Sequence, residues 1–331
     1  MAQPRFDILG IGNAIVDVLA PVPDGFLAQH AMQKGAMALI DDAMAENLYA
    51  AMPPAQEASG GSAGNTCAVA AALGARVAYF GKVAADQLGM VFRHDITAAG
   101  VHFPTAPLMG GTPTARCLIL VTPDGQRTMN TYLGACVTFN EADIDASVVQ
   151  NSAVTYMEGY LFDPPAAQAA FYRAAAIAHA ADRQVALSLS DSFCVGRHRA
   201  AFRDLVANHV DILFANEDEI TALYETADFG TAAALAAKDV ALVALTRSEK
   251  GSVVIRSADQ HIVAIEPTTL VDSTGAGDAY AAGFLVAYTK GLDLGQCGRL
   301  ASIAASEVIS HFGARPQRDL SGELAKLAAQ G

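Results

Sequence analysis

The stretch DSTGAGDAYAAGF, Asp272 to Phe284, sets small residues and a carboxylate at the mouth of a predicted helix that continues through AYAAGFLVAY. Asp272, Ser273 and Thr274 are residue types that cap helices. Gly275 and Gly277 let backbone come close to a ligand. Consecutive amides at a helix N-terminus form an anion hole, and the helix dipole reinforces it. Asp278 falls in the first turn beside that hole. A hydroxyl held between this carboxylate and a terminal phosphoryl group would lose its proton to Asp278, while Gly275, Ala276 and Gly277 stabilise the transferred charge. The plainer alternative is a Gly-rich strand-to-helix turn with a favourable first-turn acid, so the rest of the chain has to decide.

Outward from this stretch, short apolar runs alternate with longer Ala/Leu-rich helical patterns: FDILGIG, ARVAYFGKV, AVTYMEGYL, QVALSLS, VDILFANE and VALVALTR. That alternation predicts repeated β-α units on a mainly parallel sheet covered by helices on both faces. Two segments break the pattern. AIVDVLAPVPDGF with KGAMALID, and later TARCLILVTPDGQRTMNTYLGA, alternate around Pro-Asp-Gly as hairpins or small antiparallel sheets do, the second turning at Asp124-Gly125. Strands inserted at two separated places can pair into a small lid over the main sheet; two unrelated surface hairpins are the other reading.

The 331 residues, 52% hydrophobic and 17% charged, describe a globular α/β chain with a sizeable core. A formal net charge of −13 argues against nucleic acid or an anionic membrane as partner. Any anion site must then be built locally from backbone amides and a few placed Arg or Lys residues. The five cysteines, Cys67, Cys117, Cys136, Cys194 and Cys297, are scattered and contain no C-x-x-C pair, as expected of reduced thiols. The N-terminus MAQPRFDILGIGN has no signal-peptide pattern, and no run of apolar residues is long enough for a membrane span, so a cytoplasmic protein is expected.

Two familiar phosphate loops fail. GIGNAI, Gly10 to Ile15, begins like a dinucleotide fingerprint but carries Ile15 where Gly or Ala is required. A Walker-type loop would have to end at Gly81-Lys82, where Arg76 stands at the first glycine position and Val83 follows the lysine.

What survives resembles the ribokinase-like (PfkB) family of carbohydrate and nucleoside kinases, whose C-terminal signature is D-T-x-G-A-G-D. Ser273-Thr274 is a mild departure from it. GNAIVD, with Asn13 and Asp17, resembles the family's acceptor-binding segment, and GGSAGN, Gly60 to Asn65, its Gly-Gly-x-x-x-Asn segment, which sets Gly60, Gly61 and Asn65 against the sugar ring. GKVAADQLGMVFRHDITAAGV is similar to the first signature region. NEDE, Asn216 to Glu219, resembles the N-x-x-E motif that organises Mg2+, its waters and the phosphates; TRSEKGSVV, with Thr246, Arg247 and Gly251, resembles the strand, turn and strand flanking the nucleotide. The resemblance implies a three-layer α/β/α core of residues 1–12, 41–108 and 136–331, and a small β-sheet lid of residues 13–40 and 109–135. Arg127 resembles the lid arginine that reaches the transferred phosphate. A monovalent cation, K+, held by carbonyls around Asp272 and Thr274 and by the SHFGARP segment, is a further implication.

Within the family, the opening GNAIVDVLAPVPDGFLAQHAMQKGAMALID, the segment LSLSDSF and the C-terminal SHFGARP are similar to the adenosine kinase branch. Ile15, Leu133, Leu161 and Phe193 then match apolar positions around the base, with Leu161 where the branch can carry an aromatic. The implied reaction is ATP-dependent phosphorylation of the adenosine 5′-hydroxyl by a monomer or homodimer. A sugar kinase for ribose, fructose or a related sugar is the alternative within the family, and a nucleoside-binding sensor without chemistry is the alternative outside enzymes.

Overall fold

The computed structural model describes residues 3–329, so the extreme ends of the predicted core segments, 1–2 and 330–331, lie outside the described residues. The chain opens with β1 (Phe6–Ile11) and β2 (Ile15–Pro21), then α1 (Asp24–Gln29), β3 (Met37–Leu39), α2 (Asp42–Ala51) and β4 (Gln56–Ser59). It continues through α3 (Ser62–Ala72), β5 (Val77–Phe80), α4 (Gln87–Ala98), β6 (Val101–His102), β7 (Ala115–Val121) and β8 (Arg127–Tyr132). Next come α5 (Ala146–Gln150), β9 (Ser152–Glu158), α6 (Pro165–Ala180), β10 (Gln184–Ser188), α7 (Ser192–His209), β11 (Ile212–Asn216), α8 (Glu217–Tyr224) and α9 (Phe229–Asp239). The last elements are β12 (Leu242–Thr246), β13 (Ser252–Arg256), β14 (Asp259–Val263), α10 (Ala276–Thr289), α11 (Leu294–Val308) and α12 (Glu323–Ala328).

Among the described residues these strands form a nine-stranded sheet in the order β14-β13-β12-β11-β10-β9-β1-β5-β6 and a five-stranded one in the order β3-β8-β7-β2-β4. The large sheet is parallel from β6 to β12, and only β13 and β14 run antiparallel. Its central strands are mostly apolar, as burial on both faces requires; β1 is buried at every residue, Asp7 included. One face packs against α3, α4, α10 and α11, the other against α5 through α9. This is the expected three-layer core with a mainly parallel sheet. No disulfide forms among the described residues, and all five cysteines are buried.

The helix carrying the opening motif lies in the middle of one layer. Every residue of α10 from Ala279 to Ala287 is buried, so it is apolar on all sides and belongs to the interior. Small residues permit its close packing: a Cβ added at Gly283 would lie 2.6 Å from the Leu300 carbonyl oxygen of α11.

The small sheet bears out two expectations and corrects two others. The hairpin predicted at Asp124-Gly125 joins β7 and β8, with Gly125 at φ 82°. The earlier Pro-Asp-Gly makes no hairpin: Pro23 precedes α1, and β2 and β3 never pair, β2 running parallel to β7 and β3 parallel to β8. The two inserted segments do meet in one sheet. That sheet also takes in β4, antiparallel to β2, from within the span 41–108 given to the core. No helix among the described residues is long and apolar enough to cross a membrane.

Candidate active site

The parallel strands all deliver their carboxyl ends to one edge of the large sheet. Strand order reverses beside β1, which is flanked by β5 and β9, and ligands of open α/β sheets bind outside such a switch point. Gly12 and Asn13 leave β1 there, Glu158 closes β9 beside them, and Asn216 and Thr246 end β11 and β12, paired across the sheet.

Gly275 is the residue before α10 and takes φ +79°. A Cβ on it would also lie 2.6 Å from that of Ala314. Both conditions require glycine. No side chain caps this helix, which corrects the expectation drawn from Asp272, Ser273 and Thr274. Asp272 instead braces the loop: Oδ1 accepts from the Thr274 amide (3.1 Å) and hydroxyl (2.7 Å), and Oδ2 from the Gly313 amide (3.2 Å). The SHFGARP segment and the Asp272–Thr274 turn are therefore adjacent. The Ala276 amide donates to the Ser273 carbonyl at 3.2 Å; with no capping side chain, the Gly275 and Gly277 amides beside it are available to an external anion.

Asp278 sits in that first turn, partly accessible. Ser62 donates to its Oδ1 at 2.6 Å and Asn65 Nδ2 to its Oδ2 at 3.3 Å, both from the first turn of α3. Burial pushes its carboxyl up to about 6, with the two hydrogen bonds holding it lower than burial alone would. Such a carboxylate is ionised at neutral pH and basic enough to take a proton.

Facing it, the two-residue period of β2 puts Ile15 and Asp17 on its half-exposed face while Val16 and Val18 are buried. The Asp17 carboxylate lies against Gly60, whose added Cβ would meet its oxygens at 2.3 and 2.6 Å. Gly61, at φ +81°, turns the chain into α3 against the Asn13 carbonyl. Burial raises Asp17 to about 7, opposed by the charges of Arg315 and Arg127 and assisted by that of Asp278. Arg127, at the start of β8, is a buried lid residue rather than a solvated one: its Nη2 is 2.8 Å from Asp272 Oδ2, and its Nε has no acceptor among the described residues.

Three participants were not singled out in the sequence. Ser62 is the third residue of GGSAGN. Arg315, in GARP, pairs with Asp95 at 3.0 Å and donates to the Ser59 hydroxyl of β4. Glu158, 1% exposed, accepts from the Asn13 side chain at 2.9 Å and the Ala63 amide at 2.8 Å. The only sequence signal for Glu158 was an acid closing an apolar strand. GIGN is now explained without a dinucleotide: a Cβ at Gly10 would meet Cys67 Sγ at 2.4 Å, and one at Gly12 would meet Glu158 Oε2 at 2.2 Å.

On the other flank Asn216 caps α8 and Glu219 completes a reciprocal capping box, its two oxygens accepting from the Asn216 amide (3.0 Å) and side chain (2.7 Å). Glu219 is buried, and burial raises it to about 7. Both of its carboxylate oxygens are turned to Asn216 rather than displayed to a ligand. Arg247 pairs with Glu217 at 3.2 Å and stacks over Phe229 at 4.1 Å. Gly251 turns tightly at φ +80°, where a Cβ would lie 2.1 Å from the Val263 carbonyl oxygen. Of the apolar candidates, Ile15 and Leu133 are half-buried and Phe193 is 77% exposed. Leu161 is a correction: it is fully buried in the core on the α5–α9 face, where it packs as core and presents no surface to a base.

A family model described as pfkB family carbohydrate kinase matches residues 38–319. The adenosine kinase of Sinorhizobium meliloti has the same fold with a TM-score of 0.90 at 54% identity, over 97% of this chain and 99% of that one. A probable sugar kinase protein from Rhizobium etli gives 0.91 at 50% identity, over 98% and 100%. A nucleoside kinase of Methanothermobacter thermautotrophicus is 25% identical over 287 residues, 87% of this chain and 90% of its own. Matches of this extent, arriving at the fold already described, mean that the chain belongs to the pfkB family of carbohydrate kinases and is an ATP-using phosphotransferase acting on a nucleoside or a sugar.

Proposed function

We propose that this protein transfers the γ-phosphoryl group of ATP to the 5′-hydroxyl of adenosine. The observation that carries the reaction is the pairing of Asp278, held by Ser62 and Asn65, with an uncapped helix mouth one residue away. Asp17, Asn13, Gly60, Gly61 and Asn65 hold the ribose hydroxyls, and Asp278 takes the 5′-hydroxyl proton as the oxygen attacks phosphorus. The amides of Gly275 and Gly277 and Arg127 Nε, which has no acceptor among the described residues, receive the charge that spreads over the transferred oxygens, and Ala276 joins them only if its bond to the Ser273 carbonyl opens. The Asn216–Glu219 cap would order the waters of an Mg2+ ion bound with the phosphates, and that ion would supply neutralisation of their charge. Thr246, Arg247 and Gly251 form the wall along which ATP lies. K+ beside Asp272 and Thr274 would steady the same turn.

The likeness to the Sinorhizobium meliloti adenosine kinase supports the nucleoside acceptor, as does the exposed ring of Phe193 beside the end of β10, a surface on which a purine can stack. The burial of Leu161 favours a second reading, a sugar acceptor, by removing one of the four apolar base contacts. The deciding measurement is ADP release with MgATP in potassium buffer, comparing adenosine, ribose, fructose and no acceptor. Stimulation by micromolar adenosine alone is expected. Stimulation by a free sugar alone would keep the chemistry and replace the acceptor.

A further inference from the structure

The most deeply buried acid at the switch point, Glu158, is used by no step above, yet it is joined to both halves of the acceptor pocket. Its Oε1 accepts from the Asn13 amide at 3.3 Å and the Asn13 side chain at 2.9 Å. Its Oε2 accepts from the Ala63 amide at 2.8 Å. Asn13 and Ala63 belong to different segments, the loop that leaves β1 and the first turn of α3, and a third segment, β9, supplies the acid. Ala63 shares that turn with Ser62 and Asn65, the two residues that hold Asp278. No basic side chain pairs with Glu158 among the described residues; three N–H donors satisfy it instead. Gly12 is shaped to it, since a Cβ there would approach Oε2 to 2.2 Å.

We infer that Glu158 is a positioning residue for phosphoryl transfer: its carboxylate ties the acceptor-binding Asn13 loop to the N-terminal turn of α3 and so sets where Ser62 and Asn65 hold Asp278. The inference rests on the reading of Asp278 as the base. At 1% exposure Glu158 does not itself meet the substrate. Its two oxygens reach two backbones at once, which an amide cannot reproduce: a glutamine side chain in its place would offer one acceptor oxygen and set an N–H against an N–H at the other.

The titrating neighbours belong to one field. Asp17 of β2 and Asp278 of α10 face the pocket with it, and its charge reaches Tyr79 of β5, Tyr156 of β9, Tyr160, Cys67 of α3, Cys136 and Cys194 of α7. A kcat-against-KM split is therefore a cleaner readout than a pH profile.

The experiment measures kcat and both KM values for Glu158→Gln, Ser62→Ala, their double variant and Asp278→Asn. Orienting partners of a reacting group are worth about ten- to a hundredfold in activity. Glu158→Gln should lower kcat on that scale with the KM for ATP unchanged, and the double variant should fall short of the product of the two single losses because both act through one turn. A kcat within twofold of the parent, a loss confined to the ATP KM, or strictly multiplicative losses would overturn the inference. If Glu158→Gln does not fold, Gly12→Ala displaces the same carboxylate without removing it and is judged by the same split. Asp278→Asn separates the two levels: near-normal turnover there sinks the base assignment itself, whereas a dead Asp278→Asn beside an unaffected Glu158→Gln sinks only the positioning role.

Discussion

The two flanks of the carboxyl edge are built on opposite principles. On the acceptor side, beside β1 and β9, backbone and carboxylates are fitted without slack: Gly12, Gly60 and Gly61 each leave no room for a Cβ, and Asp17, Glu158 and Asp278 sit close enough for the charge of Asp278 to raise the other two. On the proposed donor side, beside β12 to β14, Gly251 and Gly275 are as confined, but the surface around them is open: Ile262 is 78% and Leu270 65% exposed, and a Cβ at Gly277 would meet nothing within 4 Å. On the proposed function, the first arrangement would hold a hydroxyl in place before the reaction, the condition under which proximity and a positioned base act. The second would accept a large polyanion together with its metal ion. Rigidity is thus concentrated where a proton must move.

The sharpest way to break this contrast is Asp278→Asn. Turnover should fall by about two to four orders of magnitude, the scale of a lost positioned base, while ATP binding measured by calorimetry persists. In the parent, kcat should decline as pH drops through about 6, the value to which burial raises Asp278. A flat profile from about pH 5 to 8 would remove the base from its role.

Next in size, Asp17→Ala should raise the acceptor KM about ten- to a hundredfold, the value of one to two charge-assisted hydrogen bonds, leaving the ATP KM near its parent value. An unchanged acceptor KM would move the acceptor pocket away from the lid.

A glycine pair sharpens the comparison further. Gly60→Ala drives a methyl into the Asp17 carboxylate and should cost about 1–3 kcal/mol of stability as overpacking. Gly277→Ala lies in open helical backbone and should hold or gain up to about 1 kcal/mol, while weakening ATP because the methyl stands among the amides that receive the phosphates. Equal stability losses would mean that the two flanks are alike.

The smallest effect is a drift. Asp17, Glu158 and Glu219 titrate near 7 and Asp278 near 6 when folded, all above their ordinary values. The native state therefore holds more protons than the unfolded chain between roughly pH 4.5 and 7. Their joint contribution to stability is present at the acid end of that window and is lost as pH rises through about 7, so the thermal midpoint should fall gently from about pH 5.5 to 8. Asp278→Asn, which cannot ionise, should flatten that slope.

How much of this could be read from the chain follows from the range of the interactions. The six central strands were legible because burial on both faces makes each a short, mostly apolar run. So was the β7–β8 hairpin, where Thr122 and Lys34 secure Asp124 in the turn. The same Pro-Asp-Gly letters at 23–25 begin a helix instead, because β3 pairs with β8 almost a hundred residues away and no local turn is required. β4 is a polar edge strand, QEAS, with no alternation to see. In the site, Asp278 and the glycines were visible because one short stretch holds them. Glu158 and Arg315 were not, since their partners lie far along the chain: 145 residues separate Glu158 from Asn13, and 256 separate Arg315 from Ser59.

The burial of α10 on every side has a consequence for motion. Amides within such a helix exchange with solvent only when the domain opens as a whole, so deuterium should enter Ala281 to Ala287 at the slowest rates in the molecule. The mouth of the helix, although open to ligands, is anchored to the least yielding part of the chain. If the five-stranded sheet acts as the proposed lid, the rearrangements that admit substrate and release product fall to it, and substitutions in its strands should govern turnover more than any loosening around Asp278.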